Sequence, residues 1–248
     1  MIYIQETHHV IGGMMPEFLD SLKNEWKPLV EKDGSSRLLW AWLHVVGTGP
    51  SYRAITLLQV EDYRAWGALV ERYQKKGSDL NHWYENAWKC RRKVVGKVMT
   101  PTEWSPIPKA PAANAKADHP STHYLHDVAF PHPGSVEKYI ETLGRVYYPH
   151  MAPAKHAGRV PVPSTGTAPM LSMELCLRVA PGAGEVHEVA LVQRINDWPA
   201  FCELLKRGGV PSPEKPKVGS NNWMEVGLTL RDQWESQIFG TTLWSPLD

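Results

Sequence analysis

Two acidic residues lie at matching places in two strand-like segments and are suited to proton transfer. Glu6 ends the stretch YIQE (3–6), and Asp127 ends the similar stretch YLHD (124–127). A carboxylate flanked by apolar residues on a strand is costly to bury in its charged form. Burial would raise its pKa and make it a general acid or base near neutral pH. A structural ion pair is the alternative, and its candidate partners are Arg91, Arg178 and Arg231.

Histidine, tyrosine and arginine side chains extend this candidate site. Because alternate residues of a strand share a face, His8 accompanies Glu6, whereas Tyr124 and His126 lie on the face opposite Asp127. The candidate catalytic residues are Asp127, His126, Tyr148, His150, Glu6 and His187. The candidate substrate-binding residues are Arg178, Arg159, Tyr52, His44, His8, Trp223 and Tyr124.

The second half of the chain carries the richer set of polar residues. Its segment YYPHMAPAKHAGR (147–159) contains Tyr148, His150 and Arg159 and runs into a Pro/Gly-rich loop at about 156–169. Tyrosine and histidine can exchange protons, and arginine can hold a carboxylate. Long loops on rigid scaffolds often carry function, although an ordinary surface insertion is the alternative. We therefore expect the working pocket in the second half.

The sequence argues against a metal site and against a phosphate-binding loop. His8 and His9 are adjacent on a strand and point to opposite faces, so they cannot bind one metal ion together. No glycine-rich nucleotide-binding motif occurs. The three cysteines form no C-x-x-C pair, which suits a reducing cytoplasm and argues against a zinc cluster.

The composition excludes several classes of partner. Lys plus Arg number 27 and Asp plus Glu number 26, and this net charge of +1 gives no sign of nucleic-acid binding. No apolar run approaches the roughly 20 residues that span a bilayer, and no signal peptide is recognisable. The 11 tryptophans suit a pocket for a flat ligand, with core packing as the alternative. We expect a cytoplasmic protein that binds a small aromatic molecule and no membrane; a homodimer is left open.

An internal duplication organises the chain. The stretch TEWSPI (102–107) returns as TLWSPL (242–247), and residues 81–107 align without a gap with residues 221–247. Further matches follow in chain order towards the N-terminus, as one collinear duplication requires. The sequence thus predicts a first repeat over 1–107, a Pro/Ala-rich linker over 108–121 and a second repeat over 122–248. Each Trp-Ser-Pro segment would close one repeat.

Each repeat is predicted to have the order β-α-β-β-α-β. In the first repeat, strands are expected at 2–10, 37–46, 52–59 and 97–104, with helices after the first strand, at 60–77 and at 80–94. The basic run KCRRK (89–93) is interpreted as a solvated helix face. This order is the ferredoxin-like arrangement. Because one such sheet leaves a face uncovered, we predict an α+β fold in which the two antiparallel sheets face each other as a pseudo-dimeric α/β barrel, with the helices outside.

These features resemble the dimeric α/β-barrel superfamily in a tandem-duplicated form. The first 75 residues are most similar to its NIPSNAP branch, through a Tyr-bearing first strand, a Gly before the first helix, and the run LLWAWLHVVGTGPSYRAITLLQVEDYRAW. The resemblance implies a pocket between each sheet and its helices. It leaves function open, since the superfamily includes cofactor-free monooxygenases, cyclases, isomerases, decarboxylases and haem enzymes.

Three functions are compatible with the sequence. The first is a cofactor-independent acid–base enzyme acting on an aromatic, phenolic molecule, as a lyase, isomerase or cyclase. The second is an oxygen-using oxidoreductase, either cofactor-free or haem-bound. The resemblance to haem-binding tandem relatives would make His150 the iron ligand. The third is a non-catalytic small-molecule binding or interaction protein.

Overall fold

A computed structural model describes residues 1–109, 119–151, 169–185, 187–206 and 215–247. The predicted loop at 156–169 and most of the predicted linker at 108–121, together with Arg159, lie outside these described residues. The repeat boundaries therefore remain predictions. Among the described residues, no helix combines the length and the apolar character needed to cross a membrane.

The two halves of the chain repeat the same order of elements. The first half contains β1 (Ile2–Val10), α1 (15–30), β2 (Ser36–His44), β3 (Arg53–Val60), α2 (Tyr63–Gln74), α3 (Asp79–Ala87) and β4 (Arg91–Pro101). The second half contains β5 (His123–Pro131), α4 (136–151), β6 (Leu171–Val179), β7 (Val189–Ile195), α5 (Trp198–Lys206), α6 (Trp223–Gly227) and β8 (Arg231–Thr241). Side-chain caps fix two helix starts, because Asp62 accepts from the Ala65 amide and Ser78 from the Asn81 amide.

The eight strands form one closed antiparallel barrel. Within the halves the strand orders are β4-β1-β3-β2 and β8-β5-β7-β6. The halves join where β2 pairs with β8 (Trp42 with Thr241) and where β4 pairs with β6 (Met99 with Val179). Closure gives each of the strands in the described part of the chain a neighbour on both sides. The predicted α+β fold of two ferredoxin-like halves in a pseudo-dimeric barrel is confirmed.

Alternation along the strands builds two kinds of core. Inward-facing side chains meet at the centre of the barrel, where Trp40, Trp42 and Tyr124 pack together, and the Trp40 Nε1–H donates to the Tyr124 hydroxyl at 3.1 Å. Outward-facing side chains of the strands pack beneath the helices of their own half. In the first half they meet Phe18 and Trp26 of α1. The barrel therefore separates residues that are neighbours in sequence into two environments.

The long helix after the first strand contains a π turn in both halves. In α1 the segment Leu22–Trp26 has this wider winding, and in α4 it is Leu143–Tyr147. Such turns insert one extra residue into a helix and occur often at functional sites. The first residue of each turn is buried beneath the helix, as Leu22 and Leu143 show, and so is Trp26, whereas Lys23, Asn24 and Glu25 are exposed.

The repeated Trp-Ser-Pro segments cross to the opposite half. Ser105, which follows β4, accepts from the Cys176 amide of β6 at 2.9 Å. Ser245, which follows β8, accepts from the Ala41 amide of β2 at 3.2 Å. Each hydroxyl thus satisfies an amide in a strand of the other half. We call the two Trp-Ser-Pro segments that make these contacts the crossed tails.

The tryptophans of the crossed tails also contact the opposite half. Trp104 donates from Nε1 to the Ile140 carbonyl of α4 at 3.1 Å and packs against the Tyr148 ring. Trp244 packs against the outer core of the first half. Each Trp-Ser-Pro segment thus follows the last strand of its own half and makes these contacts with the other half.

The end of the first half also differs from the prediction. The third helix stops at Ala87 instead of 94, and β4 begins at Arg91 instead of 97. The basic run KCRRK (89–93) is not a solvated helix face, since Arg91 is 1% exposed. Its guanidinium can be buried because it contacts a histidine and several aromatic rings.

Candidate active site

The barrel wall divides the predicted site residues between its two faces. Glu6 and His8 lie on the outer face of β1, beneath the helices of the first half, as alternation predicted. His126 and Tyr124 point into the barrel, where the His126 Nε2 lies 3.2 Å from the Gln5 Oε1. The predicted residues therefore belong to different sites rather than to one pocket.

Three residues of the first half form the strongest acid–base group, and we call them the Glu6 cluster: Glu6, His8 and Arg91. The Arg91 Nη1 lies 2.9 Å from the His8 Nδ1, and the His8 Nε2 lies 3.8 Å from the Glu6 Oε2. Since arginine only donates, the His8 Nδ1 accepts, and a neutral ring carries its proton on Nε2. That buried nitrogen has no hydrogen-bond partner among the described residues.

Aromatic rings surround the guanidinium of Arg91. Its central carbon lies 4.9 Å from the Tyr84 centroid, 5.1 Å from Trp88 and 5.2 Å from Trp83. Cation–π attraction compensates part of the lost hydration. Its Nε and Nη2 atoms lack hydrogen-bond partners among the described residues, so this cation retains unused donors.

Burial moves the pKa of both titratable residues beside Arg91 away from their usual values. Burial raises the pKa of Glu6, and the positive charge of Arg91 offsets only part of this rise. Burial lowers the pKa of His8 well below its usual value, and Arg91 and His9 lower it further. At neutral pH His8 is therefore an uncharged donor, and Glu6 is a carboxyl group that takes up protons more readily than in water.

Glu6 remains reachable from outside. Its side chain is 24% exposed, and it pairs across the sheet with Gly96 of β4. A Cβ atom placed on Gly96 would meet nothing within 4 Å. A small molecule could therefore approach the carboxyl over this glycine, along the outer face of the sheet.

The matching carboxylate of the second half is fully engaged. Asp127 accepts from the Gln193 Nε2 at 2.8 Å and from the Ser236 hydroxyl. Ser236 occupies the place that Gly96 has in the first half. The Tyr147 hydroxyl completes the network by donating to the Gln193 Oε1 at 2.6 Å. Burial raises the pKa of Asp127, and these hydrogen bonds partly offset the rise.

The space beneath the helices of the second half is filled by aromatic side chains. Trp223 packs against Tyr139 and Tyr147, at centroid distances of 5.4 and 5.6 Å, and Arg231 donates to the Tyr139 hydroxyl at 3.0 Å. His150, the suggested haem ligand, is exposed in the last turn of α4. Haem binding by His150 therefore stays a prediction.

Of the remaining predicted residues, Arg178 and His187 line one cavity of about 300 Å³ beside α4, whereas Tyr148 and Tyr52 lie apart from it. Arg178 forms a surface ion pair with Glu137, with an N–O distance of 2.5 Å, and Tyr148 packs on Trp104. Tyr52 and His187 occupy matching turn positions with φ of 58° and 78°, and Tyr52 is 60% exposed. Their polar character reflects these turns. His44 lies inside the barrel, on the Phe239 ring.

Sequence reasoning named Arg91 only as one ion-pair partner among three. It also passed over Gln5 and Arg53, which line the barrel interior. The internal repeat could have indicated Gln5, because Gln5 matches His126 in the second half. These two residues hydrogen-bond across the barrel. Arg53 is signalled by register, since it pairs with His9.

Comparison with known proteins supports the fold. No family model matches the chain, and no curated protein does. A structure from Lactobacillus acidophilus, proposed to be a monooxygenase, is 11% identical and covers 96% of this chain and 92% of its own, with a TM-score of 0.53. An anthrone oxidase-like protein is 8% identical over 97% and 91% of the two chains, with a TM-score of 0.53.

A NIPSNAP domain protein from Burkholderia xenovorans matches about one repeat. It is 18% identical and covers 43% of this chain and 99% of its own, with a TM-score of 0.37. At such identities the two full-length matches show a shared fold, and they leave the chemistry to be argued from the residues of this chain.

Proposed function

We propose that this chain, which has the dimeric α/β-barrel fold, is an enzyme that performs acid–base chemistry on a small aromatic molecule without a bound cofactor. The reaction class that fits best is a lyase, isomerase or cyclase reaction that begins with removal of a proton. One observation carries the proposal. The Glu6 carboxyl is mostly buried and makes no hydrogen bond within the described residues, whereas Asp127, at the matching position, is bonded by two side chains.

The roles within the Glu6 cluster follow from its geometry. Glu6 would take the proton, because burial raises its pKa towards the working range of a general base. Removing a proton next to a carbonyl or on a phenol leaves negative charge on oxygen. The unpartnered Nε2–H of His8 and the cation of Arg91 are placed to stabilise that charge in a site of low polarity.

The surrounding rings support an aromatic substrate. Tyr84 and Trp88 lie within 6 Å of the Arg91 guanidinium, and both keep part of their surface exposed. Flat rings offer the offset and edge contacts that other rings prefer. The first half therefore replaces the second as our proposed location of the working site.

An oxygen-using reaction is the second candidate. The same proton removal gives an electron-rich carbanion or phenolate. A CH2 group that takes up one oxygen atom of O2 and passes its two hydrogens to the other oxygen atom yields a carbonyl and water. The monooxygenase proposal for one structure of this fold and the anthrone oxidase-like name of another favour keeping this candidate.

A proton-exchange assay tests the proposal before the product is known. Phenols and aryl ketones with acidic C–H bonds are incubated with the protein in D2O, and exchange is followed by proton NMR, with and without oxygen. We expect catalysed exchange for at least one aromatic compound, and Glu6→Gln should slow it by about 10²–10⁴-fold. Consumption of oxygen by the same compound would select the second candidate.

Two matched variants complete this experiment. Glu71→Gln removes an exposed carboxyl from α2 and should leave exchange unchanged. Asp127→Asn tests the second half directly. Exchange that survives in Glu6→Gln and disappears in a folded Asp127→Asn would contradict the assignment to the first half.

A further inference from the structure

We propose that the open end of the barrel interior is a second binding site, which holds a small organic monocarboxylate with its carboxylate on Arg53 and its apolar body against Phe239. This site lies on the opposite face of β1 from the Glu6 cluster. Gln5, Thr7 and His9 line it, whereas Glu6 and His8 point the other way. The two sites therefore share a strand and no side chain.

The site is a cavity of about 310 Å³ formed by inward-facing residues of six strands and by the turn before β7. Beneath it lies the apolar centre of the barrel, which contains Trp42 and Tyr124. An engineered protein cavity of about 150 Å³ accommodates benzene. The volume is therefore sufficient for one aromatic ring with a carboxylate.

Arg53 provides a cation that no described carboxylate neutralises. Its Nε is buried and lacks a hydrogen-bond partner among the described residues. Lys97, on the same wall, is different, because its Nζ lies 2.6 and 2.7 Å from the two carboxylate oxygens of Glu188. Lys93 also lines the cavity but is exposed. Arginine can hold a carboxylate through two parallel N–H groups, so Arg53 is the anchor.

Two histidines line the site without adding charge to it. Burial lowers the pKa of His44 to about 4 and that of His126 to about 3, and nearby cations add to both effects. Both rings are therefore neutral at pH 7. The buried Nδ1 of His44 has no partner among the described residues, and both rings lie on Phe239, at centroid distances of 4.8 and 5.0 Å.

The lining also selects the kind of anion. Phe239, Val128 and Phe130 present apolar surface beside the polar groups. Glu185 and Glu235 line the same cavity and would repel a second negative charge. A monoanion with an apolar body fits these walls better than phosphate does.

Calorimetric titration with benzoate, acetate and inorganic phosphate tests the proposal. We expect benzoate to bind the full chain at least about tenfold more tightly than either other anion, a difference of about 1.4 kcal/mol. Arg53→Gln should weaken benzoate binding by about tenfold or more. Arg64→Gln, which removes an exposed positive charge from α2, should leave it unchanged.

Two further measurements separate this site from the Glu6 cluster. Glu6→Gln should bind benzoate as the wild type does, so loss of exchange activity and loss of benzoate binding are distinguishable. In wild-type NMR spectra, benzoate should shift the imidazole signals of His44 and His126. Unshifted signals, equal affinity for phosphate, or undiminished binding by Arg53→Gln would each overturn the proposal.

Discussion

At the scale of single residues, Glu6 and Asp127 show how the same register position acquires two different environments. Alternation predicted that Glu6 and His8 share one face of β1, and in the structure this is the outer face. Alternation could not predict that Ser236 donates a hydrogen bond to Asp127, whereas Gly96, at the matching position, has no side chain to donate one to Glu6. Strand pairing determines these neighbours. The sequence identifies the carboxylates, and the register decides which of them is unbonded.

The raised pKa of Glu6 has a consequence for stability. A carboxyl whose pKa is higher in the folded state stabilises the fold below its unfolded value of 4.5, and this contribution is lost as the pH rises through the folded pKa. Glu6→Gln, which stays neutral, should therefore gain stability relative to the wild type as the pH rises above 4.5. Urea denaturation across the pH range measures the difference.

The control for this prediction is Glu71→Gln, on the exposed side of α2. Its stability relative to the wild type should not vary with pH in the same way. A Glu6→Gln protein that loses stability towards neutral pH would show that the charged carboxylate is stabilising, against our assignment.

Arg91 gives a second residue-scale prediction. Arg91→Lys keeps the charge, but a lysine cannot both lie flat among the rings and reach the His8 Nδ1. We expect a loss of about 1–3 kcal/mol in the free energy of unfolding, measured by urea denaturation. Arg92→Lys, at the exposed neighbouring position, should cost little. Equal losses in the two variants would mean that the aromatic surroundings of Arg91 are unimportant.

At the scale of elements, the hydrophobic pattern predicted the strands and helices better than their ends. The last strand was placed six residues too late, because the charged run at 89–93 resembles a helix surface and Arg91 is buried only through its contacts with His8 and with aromatic rings. The π turns of α1 and α4 were not predicted. One extra residue in a helix barely disturbs the spacing of its apolar positions.

The π turn of α4 provides the element-scale prediction. A Cβ on Gly144 would lie 2.5 Å from the Trp104 Nε1, so Gly144→Ala must displace the indole that crosses from the first half. We expect a loss of about 1–3 kcal/mol. Gly67→Ala on α2 meets nothing within 4 Å and should gain about 0.5–1 kcal/mol. Thermal unfolding compares them, and a stabilised Gly144→Ala would contradict the packing of Trp104.

At the scale of the whole molecule, the duplication in the sequence was sufficient to predict the barrel. One ferredoxin-like sheet has an uncovered face, and a second copy in the same chain covers it. The crossed tails were not predictable from the duplication. Sequence shows which copy a segment descends from, whereas the amides of Ala41 and Cys176 show where it binds.

The crossed tails predict how the two halves depend on each other. Ser105→Ala and Ser245→Ala each leave a strand amide of the opposite half without its acceptor, at a cost of about 1–3 kcal/mol. Because the two contacts lie at different junctions of the barrel, their effects should add in the double variant. Unfolding should remain a single transition when followed by tryptophan fluorescence and by circular dichroism. Two separate transitions would show that the halves are independent.

The reciprocal placement of the tails also bears on the ancestry of the chain. In a homodimeric ancestor, each subunit would have lent its final residues to its twin, so joining the two genes end to end would have required no new interface. After that fusion, selection was free to change one member of each equivalent pair. In the present chain two equivalent positions differ, since Gly96 lies beside Glu6 and Ser236 lies beside Asp127. A polypeptide cut between the halves would still give each fragment the tail that the other needs, which makes this fold a natural scaffold for fragment complementation.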